Sequence, residues 1–168
     1  MLTRRDIIIK WLNFAIVSLA LLLLHMLLLH NCKPFGVSTF LPPLLVGVVA
    51  SLEDTSAGTI YGMCMGFLCD LTIAGTFPCV YTLAFTAAAL CCSLLAKSVL
   101  QRGFFCSLAV SALTFLFVDA LNMLALWFKS GAAFAPMALL ALRETLVSCV
   151  LLFVCHPVLL WLHRKFTL

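Results

Sequence analysis

The sequence predicts an all-α polytopic membrane protein of about six transmembrane helices, forming one integral membrane domain over residues 1–168. Two observations carry this reading. The first is composition: 65% of the residues are hydrophobic and only 10% charged, whereas soluble domains are about half apolar and a quarter charged. The second is spacing. Apolar stretches recur at about the 20-residue length that crosses a hydrocarbon layer of about 30 Å. Six of them take up about 120 residues, which leaves short loops and no second domain.

The elements follow in order. A first span runs over Ile7–Leu29 and is broken by Asn31, Lys33, Pro34 and Gly36. Although Arg4, Arg5 and Lys10 precede it as in a signal peptide, the run is too long for one and lacks a small-x-small cleavage site, so it reads as a retained span. A short second span, Val37–Leu52, has Pro42 and Pro43 near its start and is closed by Glu53 and Asp54, read as a solvated loop. Spans three, four and five cover Ala57–Ala74, Phe77–Ala96 and Phe104–Phe128. The stretch from Ala132 to Leu162 is too long for one crossing. Pro136 and the Arg143–Glu144 pair divide it into a short interfacial or re-entrant piece, 132–142, and a sixth span, 145–162, which Pro157 should kink.

Orientation follows from the cations. With the N-terminus inside, Arg4, Arg5, Lys10, Lys97, Arg102, Arg164 and Lys165 fall on the cytoplasmic side, and only Lys33, Lys129 and Arg143 on the other, so both termini are expected inside. Trp11 and Trp161 then sit at the inner interface and Trp127 at the outer one. The net charge of +4 is scattered as loop anchors, which excludes a nucleic-acid surface. Of the nine cysteines only Cys32 lies in a clear loop. The others sit in or beside apolar runs and read as packing residues, with no spacing that suggests zinc.

Gly58, Gly62, Gly66 and Asp70 recur at i, i+4 and form one stripe on span three. Glycines let another backbone approach closely. The stripe reads first as packing within the chain's own bundle and second as contact with a partner helix. Asp119 and Asn122 share a face of span five, and Arg143 and Glu144 stand at the outer entry to span six. With Asp70 and His25 these polar groups fall toward one side of the membrane. Arg143 is the cation expected to pair with Asp70 or Asp119, since a lone carboxylate in lipid is costly. Structural satisfaction is the first reading of this cluster. A solute or proton site and a docking surface are the others. His156, before Pro157, reads as a capping or interface residue. No G-x-S-x-G, H-E-x-x-H or P-loop occurs, which argues against an enzyme.

The segment Gly62-Met-Cys-Met-Gly66-Phe67-Leu68-Cys69-Asp70-Leu71, followed by Gly75 and an apolar span, resembles the central signature of the MreD family of rod shape-determining membrane proteins. That signature is a glycine-rich helix ending in G-[FL]-x-x-D, a short turn and the next helix. Length, span number and tiny loops are similar across nearly the whole chain, and specific identities fall within residues 58–82. Pro78 stands where the family has glycine. The resemblance implies a fold like that of the S components of energy-coupling-factor transporters. It also implies a non-enzymatic scaffold, without cofactors, in the bacterial inner membrane. This scaffold serves cell elongation and peptidoglycan synthesis in association with MreC, a single-span protein with a periplasmic part. A vitamin-binding S component is the alternative it leaves.

Overall fold

The computed structural model describes residues 4–25, 27, 39–72, 79–98, 103–131 and 134–167. Within them the chain is all-α, with seven helices: α1 (Arg4–Leu24), α2 (Pro42–Leu52), α3 (Thr55–Thr72), α4 (Val80–Ser98), α5 (Phe104–Ser130), α6 (Phe134–Val150) and α7 (Leu152–Thr167). Asn31, Cys32, Lys33, Pro34, Gly36, Gly75, Pro78 and Arg102, used above for loops and orientation, lie outside the described residues.

α2 is the centre of the bundle. Every residue from Pro42 to Leu52 is buried, including Leu44, Leu45, Val46, Val48 and Val49. Its two prolines occupy the first turn, where no intrahelical N–H is needed. Helices α3, α4, α5 and α7 pack around it. α3 and α4 form the most extensive pair, and α1 lies at the rim, packed mainly on α7. The outward faces are apolar, with Ile8, Leu12, Ile16, Leu71, Leu83, Phe105, Phe128 and Phe153 largely exposed, as expected where the surrounding solvent is lipid rather than water.

Three helices, α1, α4 and α5, are long and apolar enough to cross a membrane, and the bent pair α6–α7 brings the number to four. This is the pattern of a multi-pass membrane protein. α2, at 11 residues, is roughly 16 Å long and too short to cross alone. α3 has 18 residues but carries Thr55, Ser56, Thr59, Asp70 and Thr72, and it does not qualify on composition.

The division of the last third differs from the sequence reading. Arg143 and Glu144 lie inside the continuous helix α6, because both are good helix formers and charge alone does not end a helix. Pro136 falls in the first turn of α6, where its missing N–H is harmless. The break comes instead at Leu151, where the chain bends by 51°. There the Leu151 N–H donates to the Ser148 carbonyl at 3.0 Å, and the Leu151 carbonyl accepts from both Val154 and Cys155. The Ser148 hydroxyl accepts the Phe40 N–H at 3.1 Å, tying the bend to the entry of α2. Pro157 lies within α7, six residues past the bend.

Candidate functional site

Polar side chains collect at the two ends of the bundle. At the end holding the start of α1, the turn between α2 and α3 places Glu53 between Lys10 and His163. Lys10 Nζ of α1 lies 2.7 Å from Glu53 Oε1 and donates to Oε2 at 2.8 Å. His163 Nδ1 of α7 lies 2.8 Å from Oε1. Lys10 and Glu53 are both buried. Glu53 is therefore not the solvated loop residue expected from sequence. It follows an entirely buried helix, and the buried ammonium beside it requires a counter-charge. Burial pushes the Glu53 carboxyl up, but the hydrogen bonds and charges of His163 and Lys10 outweigh this and hold it below its ordinary value. Asp54 is exposed and pairs with Lys97 of α4 at 3.2 Å. Lys10, Lys97 and His163 thus share one end of the bundle.

The glycine stripe of α3 is occupied by the chain's own helices. A Cβ at Gly62 would stand 2.7 Å from Ala89 Cβ and 2.8 Å from the Phe85 carbonyl oxygen. At Gly66 it would stand 2.5 Å from the Tyr81 carbonyl oxygen and 2.6 Å from Thr82 Cα, both backbone of α4. Gly58 faces Ala50 of α2 more loosely, at 3.1 Å. Asp70, one turn beyond Gly66, caps the next helix. Its carboxylate accepts the N–H groups of Tyr81 at 3.1 Å and Thr82 at 2.8 Å, together with the Thr82 hydroxyl. These are free donors of the first turn of α4, where the helix dipole also favours an anion.

At this second end Asp119, Asn122 and Glu144 line one cleft of about 370 Å³ between α5 and α6, with Met123, Pro136 and Leu140. Tyr81 lies near Asn122, Asp70 and Glu144. Asp119 and Glu144 lie close enough in the cleft to interact electrostatically. The Thr145 hydroxyl lies beside Asp119 and donates to the Ala141 carbonyl at 2.9 Å. Asp119 Oδ2 is buried without a hydrogen-bond partner among the described residues.

The expected pairing of Arg143 with Asp70 or Asp119 is not formed. The described ion pairs join Lys10 and His163 to Glu53 and Lys97 to Asp54. Successive helix positions do not face the same way. Glu144 therefore lines the α5 cleft, while Arg143 lines a separate groove with Leu146, Val147 and Val150.

His25 is buried at the end of α1. His156 is not a cap. It is buried in α7, edge-on to Phe104 at 5.3 Å, with Nδ1 unpartnered among the described residues. Trp161 lies beneath the Lys165 ammonium at 5.2 Å. Of the eight described cysteines, Cys69, Cys92, Cys106 and Cys155 are buried.

Sequence reasoning missed four contacts. They are the Glu53 triad, the Ser18–Tyr61 bond of 2.6 Å, the Ser51–Ser107 bond of 2.8 Å, and Gly47, where a Cβ would stand 2.6 Å from Ser111 Cα. All are long-range pairings with no local periodic signal. The chain matches no protein-family model, no curated protein and no solved structure.

Proposed function

We propose that this chain is a non-enzymatic membrane scaffold of the bacterial cell-elongation machinery, similar to MreD, that holds an MreC-like single-span partner in the inner membrane. The observation supporting this is the α3–α4 hairpin. The residues that carry the resemblance form one mechanical unit there: Gly62 and Gly66 admit the backbone of α4 and Asp70 caps its first turn. A signature that builds a helix hairpin rather than a reactive centre fits a protein that works by contact. The described chain has almost no mass beyond its helices, so an effect on the cell wall passes through a partner with a periplasmic part. The Lys10–Glu53–His163 and Lys97–Asp54 pairs bring the start of α1 and the end of α7 to one end of the bundle, which supports both termini lying on the same, cytoplasmic, side.

A second reading has its own support. The cleft of Asp119, Asn122 and Glu144, about 370 Å³, suits a small solute, as in a substrate-binding S component. Thermal stability of the purified protein with and without vitamins separates the two. A ligand bound only by the folded state raises the midpoint, by an amount that keeps growing with the logarithm of its concentration above Kd. The scaffold reading expects no vitamin-dependent shift and recovery of a single-span protein with the purified chain. A shift with no such protein recovered favours the S component.

A further inference from the structure

We propose that the face of α6 formed by Arg143, Leu146, Val147 and Val150 docks a transmembrane helix of a partner that carries an aspartate or glutamate, a site that rests on the scaffold reading above. These four residues follow the i, i+3, i+4, i+7 pattern of a helix-packing stripe, and they line a groove of about 580 Å³. The chain leaves this stripe uncovered: Leu146 is 62% and Val150 65% exposed. Exposure of leucine and valine alone would suit lipid. Arg143 does not. It is exposed, and no described carboxylate lies within ion-pair distance of it. A guanidinium on the lipid-facing side of a membrane helix is costly and requires an anion.

Depth and symmetry choose among the anions. α5 ends at Lys129–Gly131 and α6 starts at Phe134. Arg143 is nine residues further on, roughly 14 Å along the helix from that turn. Its stem recovers part of that depth by snorkelling. A carboxylate on a neighbouring helix at the same level still meets the guanidinium more directly than a phosphate in the headgroup layer does. A second copy of this chain fits poorly, because a two-fold contact along this stripe sets Arg143 against Arg143. A carboxylate on a partner helix supplies a bidentate pair for Arg143, and its apolar neighbours fill the groove over Leu146 and Val150. The lack of a hydrophobic drive between helices in lipid makes such a polar bond the specifying contact.

The test uses the full chain in native membranes, with a photocrosslinking amino acid at Leu146 or Val150 and a control at Leu12 on α1. The expected result is one discrete adduct from the α6 positions, absent from the control, whose crosslinked peptide is a membrane segment containing Asp or Glu. Arg143→Glu should lower its yield about tenfold, Arg143→Lys should retain most of it, and Lys in place of the partner's carboxylate should restore the Arg143→Glu variant. Both Arg143 variants are compared at equal detergent stability, so that misfolding is separated from lost docking. Adducts only to lipid, only to a second copy, to a segment without a carboxylate, or insensitive to Arg143→Glu would overturn the proposal. Such an outcome alongside rounded cells on depletion of the protein removes this docking site and leaves the scaffold function standing. Rod-shaped cells on depletion remove the function itself.

Discussion

Glu53 is the residue whose loss should cost most. Its carboxylate meets Lys10 at 2.7 Å and His163 at 2.8 Å, in the turn between α2 and α3. Breaking a buried ion pair by removing one partner typically costs about 3–5 kcal/mol, because the other charge stays buried. Glu53→Ala should therefore destabilise the protein by about 3 kcal/mol in detergent unfolding, and replacing Lys10 by Met in the same chain should recover part of the loss. The pH dependence has a definite sign. The folded Glu53 carboxyl is held below its ordinary value of 4.5. Its contribution is therefore complete above the unfolded value and disappears as pH falls through the folded one. Melting temperature should fall as pH drops below about 4 in the wild type, and Glu53→Gln should flatten that part of the profile. Asp70 acts differently. It caps α4 through the Tyr81 and Thr82 N–H groups, so Asp70→Ala should cost about 1 kcal/mol and Asp70→Asn less, the usual scale for a cap. Equal, negligible effects of both substitutions would contradict the capping role.

At the level of elements, the glycine stripe sets an order. Gly62 and Gly66 face α4 with less than 3.0 Å of room for a Cβ, and Gly58 faces Ala50 of α2 at 3.1 Å. Overpacking a tight site costs about 1–3 kcal/mol. Gly66→Ala should fall in that range because its obstacles are backbone atoms of α4, and Gly62→Ala should follow because the Phe85 carbonyl is also backbone. Gly58→Ala should cost least. Thermal unfolding of the three variants checks the order, and a Gly58 variant weaker than both others would contradict it. The stripe was legible in the sequence because three glycines at i, i+4 leave little else to infer, and packing within the chain's own bundle was the first of the two readings weighed; that α2 and α4 are the helices it meets came only with the structure. The bend at Leu151 was not legible. It depends on the Ser148 hydroxyl reaching Phe40 across the bundle, whereas the visible signals, Pro136 and Arg143–Glu144, were compatible with an unbroken helix. Glu53 was misread for a related reason. A carboxylate followed directly by Asp54 looks solvated until the helix before it proves to be buried throughout.

For the whole molecule, composition and the spacing of apolar runs together pointed to an all-α multi-pass protein, and the seven helices with three to four long apolar candidate spans bear out that coarse reading. Lys10, Lys97 and His163 share one end through their pairs with Glu53 and Asp54. Both termini should accordingly be labelled by an impermeant reagent only after the cytoplasmic face is opened. Labelling of either terminus in intact cells would contradict the proposed orientation. The polar residues expected toward the outer side were legible only as a group. Asp119, Asn122 and Glu144 line one cleft, but Asp70 caps a helix and Arg143 faces away. Side-chain direction, set by helix phase and tertiary packing together, separates residues that depth alone places side by side. The central claim is that this small bundle works by holding a partner for cell elongation. Cell shape after depletion of the protein in a rod-shaped bacterial host tests it most directly. Swollen, rounded cells that return to rods when the wild-type chain is restored are the predicted result. Cells that remain rods at normal width after complete depletion would contradict it.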